Sequence, residues 1–145
     1  MRFFSAAVLA GVLGASPAFA ADPQVSVTAE VVQVSKQGNE VQPPALATMR
    51  NEFKKNGETA AYTSFKRTSE QKLVLAKDKP QTVKLAPNMN AIVRLLELKE
   101  DTAKVLVEVP KLLTTTLTLG KKGALYVRVT KDVDPVTVLV LTPGT

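Results

Sequence analysis

The chain contains no cysteine, and this absence excludes several kinds of site. Disulfide bonds, thiolate metal centres and lipid anchors on an acylated cysteine all need a sulfhydryl group. The 145 residues must therefore fold without covalent cross-links. A chain of this length buries enough apolar surface to do so.

Histidine is absent as well. Imidazole is the side chain whose ordinary pKa lies nearest neutrality, so Ser-His-Asp and Cys-His catalysis and histidine-ligated zinc or haem are excluded. The remaining catalytic chemistry uses a serine with a lysine, or a pair of carboxylates. We predict no enzyme activity, no catalytic residue, no cofactor and no metal site, and keep a small hydrolase with one of those two chemistries as the alternative.

Ser69 and Lys72 have the S-x-x-K spacing of penicillin-recognising enzymes. That pair works on a helix, where residues three apart share a face. The surrounding pattern predicts a strand, on which residues three apart point to opposite faces. The companion S-D-N motif is missing, so we expect no catalytic role for Ser69.

Two groups of carboxylates suggest a cation or an acid–base pair. Asp132 and Asp134 are two apart in a turn-like segment, where both could face a hard cation such as Ca²⁺. Further oxygen ligands and the glycine of an EF-hand loop are missing, so an ordinary acidic turn is favoured. Glu97, Glu100 and Asp101 cluster at the end of a predicted strand, where we expect them to be solvated.

Glycine and aromatic residues are scarce, and no glycine spacing fits a phosphate-binding loop. Tyr62, Phe65, Lys66 and Arg67 do interleave rings with positive charge. On a strand, however, Tyr62 would share a face with Lys66, and Phe65 with Arg67, whereas RNA-binding sheets need several rings on one face. We predict that Phe65 is buried, that both cations are solvated and that nucleic acid is not the partner.

The first twenty residues have the pattern of a secretory signal peptide. Arg2 precedes an apolar run over 3–15, and Ala18-Phe19-Ala20 is an A-x-A cleavage site. We predict a signal peptide over 1–20, cleavage after Ala20, one domain over 21–145 and a location in the periplasm or outside the cell. No transmembrane segment is expected after cleavage. The net charge of +6 includes Arg2, so the mature chain keeps +5.

One short amphipathic helix is predicted near the N-terminus of this domain. Pro43 and Pro44 provide a helix start, and Leu46, Met49 and Phe53 share one face. Asn56-Gly57 is a plausible left-handed C-cap.

The rest reads as strands. Residues 25–35 alternate with a phase slip after Val31, which a bulge or an end of one-sided burial would explain. Gly120-Lys121-Lys122-Gly123 predicts a tight hairpin, and the runs 105–109 and 136–141 are apolar on nearly both faces. The predicted fold class is α+β and mainly β, an antiparallel β-sandwich or partly closed barrel with the helix over one central strand.

Arg94 is in phase with apolar residues, and we expect it to be either partly buried or at a sheet edge. Two other surfaces are candidates for binding. The first surface is a pair of basic residues on one strand, and the second is a one-face row of hydroxyls beside a basic turn. The candidate residues are Lys66, Arg67, Thr114, Thr116, Thr118, Lys121 and Lys122. We predict a non-catalytic exported binding or structural module, acting through a sheet edge or a basic face on an envelope protein or an anionic cell-surface polymer.

The order of these motifs resembles a family of small secreted bacterial β-rich domains. The matching features are YTSFKRTSEQ with its tyrosine-x-x-phenylalanine strand, the lysine-proline turn at 79–80, the leucine-glycine-x-x-glycine segment at 119–123 and the hydrophobic last strand. The resemblance covers residues 24–143 and implies a β-rich fold. It implies no activity, cofactor or site residue.

Overall fold

A computed structural model describes residues 24–77, 79–130 and 133–144. The predicted signal peptide lies outside the described residues. The elements in chain order are β1 (Gln24–Ser35), β2 (Val41–Gln42), a 3-10 turn (Pro44–Leu46), α1 (Ala47–Lys54), β3 (Ser64–Ala76), β4 (Gln81–Ala86), β5 (Met89–Leu98), β6 (Ala103–Val109), β7 (Leu113–Leu119), β8 (Leu125–Arg128) and β9 (Val136–Pro143).

These strands form two sheets. The five-stranded sheet has the order β2-β3-β1-β9-β8, and the four-stranded sheet has the order β4-β5-β6-β7. All neighbouring strands are antiparallel except β2, which runs parallel to β3. The predicted fold class is confirmed, since two sheets and one short helix make a mainly β, sandwich-like structure.

Two cores share the five-stranded sheet. The inter-sheet core lies between the two sheets, and its side chains come from both of them. The helix-side core lies on the other face of the five-stranded sheet, under α1. Its buried members are Val32, Val34, Leu46, Met49, Phe53, Tyr62, Phe65, Val136, Val138 and Val140.

The phase slip in β1 follows from this arrangement. Val27, Ala29 and Val31 face the inter-sheet core, whereas Val32 and Val34 face the helix-side core. The strand itself continues, and one-sided burial ends near Val31 as predicted. The bulge lies on the neighbouring strand β3, because the pairing of β1 with β3 shifts between Val31 and Val32 of β1.

The strand β9 is covered on both faces, as the sequence predicted. Its even-numbered valines from 136 to 140 join the helix-side core, and Leu139 and Leu141 join the inter-sheet core. The same prediction is wrong for β6. Val105, Val107 and Val109 are buried, but Leu106 and Glu108 between them are only half-buried on an uncovered outer face.

The helix is held by the three residues that the sequence placed on one face. Leu46, Met49 and Phe53 are all buried against the five-stranded sheet. The predicted left-handed cap at Asn56-Gly57 is wrong, because positive φ angles among the described glycines occur only at 38 and 123. Instead, the Phe53 carbonyl at the helix end accepts hydrogen bonds from the Thr59 hydroxyl at 2.7 Å and from the Asn56 amide at 3.3 Å.

The predicted hairpin at residues 120–123 is also wrong. The strand β7 pairs with β6 in the four-stranded sheet, whereas β8 pairs with β9 in the five-stranded sheet. The Gly-Lys-Lys-Gly segment therefore carries the chain from one sheet to the other. Because the two strands separate, the sandwich is left open along this side.

Candidate functional site

Ser69 and Lys72 lie on β3 and do not form a nucleophile–base pair. Ser69 is opposite Val31 and Lys72 is opposite Thr28, so their side chains point to opposite faces of the sheet. Both residues are exposed. The strand geometry that the sequence predicted at this position is confirmed, and it does not bring the Lys72 amine to the Ser69 hydroxyl.

The two basic candidates on β3 differ in their surroundings. Lys66 is exposed, but the Arg67 guanidinium lies 2.9 Å from Glu30 and 3.5 Å from Glu70. The hydrogen bond to Glu30, followed by the attraction of Glu70, raises the pKa of Arg67 above its ordinary value. Arg67 therefore stays protonated, and its positive charge is balanced by two carboxylates of the same sheet. It offers little net charge to an anionic polymer.

The aromatic residues do not form a nucleic-acid platform. Phe65 is buried as predicted, but the assignment of Tyr62 to the opposite face is wrong. Tyr62 precedes β3 and packs in the same helix-side core, with its ring centroid 6.3 Å from that of Phe53. The rings of Phe65 and Tyr126 also pack edge-on against Phe53, at 5.5 and 5.4 Å. Every aromatic ring of the described residues thus belongs to one core.

The threonine row and the basic turn are neighbours on the surface. Thr114, Thr116 and Thr118 are exposed on the outer face of β7. Lys121 and Lys122 follow in the crossing segment, and both are exposed. The Lys121 amine lies 3.0 Å from the Asp101 carboxylate, so that its charge is paired. The structure thus brings these five candidates together at β7 and leaves Lys66 and Arg67 in the other sheet.

The acidic candidates do not assemble a cation site. Among residues 24–77, 79–130 and 133–144, no group of three or more potential metal ligands comes together. Glu97 lies 3.8 Å from the Lys99 amine, and Asp134 is exposed. Asp132 lies outside the described residues. Arg94 is half-buried on the central strand β5, opposite Leu106, and is therefore not an edge residue.

The strand β7 differs from the other sheet edges. Edge strands usually carry charges, prolines or a short length, which discourage pairing with another chain. The other edge strands have such features. The strand β2 is only two residues long, and β8 is four residues long and ends in a charged residue, Arg128. The strand β4 carries the charge of Lys84 and has a proline next to each of its ends. The seven residues of β7, LTTTLTL, include no charge and no proline. No described strand pairs with its outer side.

A groove runs beside this edge, between β7 and β8. Its volume is about 660 Å³, and its lining includes Leu113, Thr115 and Leu117 of β7. These residues point toward the inter-sheet core but are only half-buried, because none of the described strands closes the sandwich here. At the groove, Leu112 is 51% exposed and Val133 is 55% exposed.

A strained turn presents Leu112 to this groove. The Leu112 amide donates a hydrogen bond of 2.9 Å to the Val109 carbonyl, closing a turn with Pro110 and Lys111 at its centre. Lys111 has a φ angle of 70°, which is costly for a residue with a side chain. Strained backbone and exposed leucine thus occur together at one end of β7.

Sequence reasoning missed the inward face of β7. The sequence pattern predicts a hydroxyl row at Thr114, Thr116 and Thr118 and a hairpin after it, and it gives no role to Leu113, Thr115 and Leu117. The available signal was the uncharged run over 112–120, which is unusual for a strand at an edge. That signal needed the sheet order, since an uncharged strand is ordinary at the centre of a sheet.

Comparison with known proteins finds no match among protein-family models, curated proteins or solved structures. In the part of the chain that the structure describes, no helix has the length and apolar character needed to span a membrane.

Proposed function

We propose that this protein is an exported, non-catalytic binding module that pairs its edge strand β7 with an extended strand of a partner protein. The observation that carries the proposal is the unprotected edge of β7 beside an open groove. A strand added there would receive backbone hydrogen bonds from β7. Its inward side chains would cover residues that are now half-exposed.

The edge supplies affinity and the groove supplies selectivity. Backbone pairing accepts almost any extended segment, because each residue contributes the same donor and acceptor. Side chains alternate along a strand, so every second residue of the partner would enter the groove. Leu113, Leu117 and Val127 there favour apolar residues at these positions.

Charge favours a protein partner over an anionic polymer. A polymer site needs several cations free on one face. Arg67 is bound by two carboxylates, and Lys121 is paired with Asp101. The basic candidates therefore make a weaker site for an anionic polymer than β7 makes for a strand.

Export is supported by the sequence of the first twenty residues. Arg2, the apolar run over 3–15 and the A-x-A site have the order of a signal peptide. The intact mass of the protein from a secreting host should correspond to a start at Ala21. A product of full-length mass, retained in the cytoplasm, would refute export.

Strand pairing can be tested with a synthetic peptide of alternating valine and threonine, flanked by serines and blocked at both ends. Binding is measured by the change in hydrogen exchange of the β7 amides and by calorimetry. The same peptide with alternate amides N-methylated loses its donors on one edge, so it should bind at least about tenfold more weakly. Equal binding of the two peptides, or no binding of either, would refute the proposed function.

Two neighbouring substitutions provide a matched pair of variants. Thr115→Lys places an ammonium group at the groove, where an inward charge discourages strand addition. Thr116→Lys makes the same change on the exposed outer face. We expect Thr115→Lys to abolish peptide binding and Thr116→Lys to preserve it, with similar thermal stability because both side chains reach water.

A further inference from the structure

We infer that the partner strand at β7 is a segment of another protein with an uncharged centre and carboxylates at both ends, rather than a second copy of this chain. This inference rests on the proposed function and specifies its partner. The observation behind it is the distribution of charge along β7. The strand has no charge over its seven residues, but lysines follow closely at each end.

Lys111 stands before β7, and Lys121 and Lys122 stand after it, all of them exposed. A segment that pairs with all seven residues spans about 23 Å, so its ends come beside these lysines. Of the three lysines, Lys121 already has the Asp101 carboxylate at 3.0 Å. Lys111 and Lys122 have no carboxylate within ion-pair distance among the described residues. Carboxylates at both ends of the partner strand would therefore be the complementary charges.

A second copy of the chain fits this edge less well. Antiparallel self-pairing that uses all seven residues is centred on Thr116, which places Leu113 opposite Leu119 of a second copy. The same register brings Lys111 of one copy to the strand end that Lys121 and Lys122 of the other copy follow, and of these two only Lys121 is paired, with Asp101. Like charges brought together where two strands pair are destabilising. The net charge of the mature chain, +5, adds a general repulsion.

The lysines at the two ends of β7 therefore select the partner strand by charge. They leave the backbone of β7 open to pairing, whereas the charges within β3 and β4 lie on the strands themselves. A partner with acidic ends is attracted, and a second copy is repelled. Attraction to one partner combined with repulsion of another is the usual origin of binding specificity.

The test uses two blocked peptides with the same seven central residues of alternating valine and threonine. One peptide has aspartate at both ends, and the other has lysine at both ends. Two surface charge pairs at the ends of a strand predict about tenfold tighter binding of the aspartate peptide at low salt. The difference should shrink at high ionic strength.

A charge-reversal variant makes the test reciprocal. Lys111→Glu with Lys122→Glu should bind the lysine peptide more tightly than the aspartate peptide. Lys72→Glu with Lys84→Glu makes the same change in net charge at exposed positions on β3 and β4. That control should keep the preference of the wild type.

The outcomes separate this inference from the proposed function. If both peptides bind wild-type protein equally and the N-methylated peptide does not, strand pairing stands and the acidic partner is refuted. Sedimentation of the wild type should show a monomer over a wide concentration range. A dimer that Thr115→Lys abolishes would identify a second copy as the occupant and overturn the inference.

Discussion

Phe53 is the centre of the helix-side core, and its replacement by alanine gives the sharpest test of that core. The ring is buried and lies within 6.3 Å of the rings of Tyr62, Phe65 and Tyr126, measured between centroids. Removing a buried phenylalanine costs about 3–5 kcal/mol, because transfer energy is lost and a cavity remains. A domain of this size has a total stability of about 5–15 kcal/mol. Phe53→Ala should therefore remove a large part of the free energy of unfolding.

Urea unfolding followed by far-ultraviolet circular dichroism measures this loss. With a typical urea dependence, the midpoint should fall by about 2 M. Lys54→Ala is the matched control, since Lys54 is the next residue on α1 and is exposed. Its effect should stay within about 0.5 kcal/mol. If Phe53→Ala lowered the midpoint no more than Lys54→Ala does, the aromatic cluster would not be a core.

Three further outcomes are expected. Thr59→Val removes the hydroxyl that donates to the Phe53 carbonyl, and should lower the free energy of unfolding by about 1–2 kcal/mol; an unchanged thermal midpoint would show that this bond is not needed. Lys111→Gly relieves a φ angle of 70° and should raise the free energy of unfolding by about 0.5–1 kcal/mol in urea; a loss would contradict the strained turn. Burial, and then two nearby carboxylates, raise the pKa of Tyr126 above its ordinary value of 10.0. The stability that the neutral Tyr126 side chain contributes is therefore fully present below that pH and is lost as the pH rises through the folded-state pKa. Tyr126→Phe should therefore lose less stability than wild type between about pH 9 and pH 11.5, and equal losses in urea titrations at each pH would contradict the assignment.

The helix and the doubly covered strand β9 were predictable because their signals are local. Leu46, Met49 and Phe53 recur at helical spacing, so they form one apolar face of the helix. Such a face packs against whichever apolar surface the rest of the fold provides. In β9, hydrophobic residues on both parities can be satisfied only by cover on both sides. Which central strand the helix covers was not predicted, because that choice depends on how the strands pair.

The separation of β7 from β8 could not be predicted, because it depends on distant pairing. Glycines at both ends of a four-residue segment have the composition of a hairpin turn. The choice between a hairpin and a crossing depends on β8 finding β9 rather than β7. Val138 to Leu141 supply that pairing surface from about ten residues further along the chain. Nothing within residues 113–128 encodes it.

The helix cap illustrates a different limit. Asn56 and Gly57 have the composition of a left-handed cap, yet the Asn56 side chain accepts a hydrogen bond from the Glu58 amide instead. This local turn directs Thr59 back to the helix end. The Phe53 carbonyl at the helix end therefore accepts the buried Thr59 hydroxyl and the Asn56 amide, and no left-handed residue is needed there.

The strand β8 links the helix-side core to the proposed binding edge. Its residues alternate, so Tyr126 packs against Phe53 on one face while Val127 lies in the inter-sheet core and lines the groove. Arg128 adds a contact of 3.4 Å to Glu58, in the segment that follows α1. A strand of four residues, paired only with β9 among the described strands, has few other contacts to fix its position. Loss of the Phe53 ring should therefore weaken peptide binding at β7 even under conditions in which the variant remains folded, whereas Lys54→Ala should not. Unchanged peptide affinity in folded Phe53→Ala would show that the groove is held by the inter-sheet core alone.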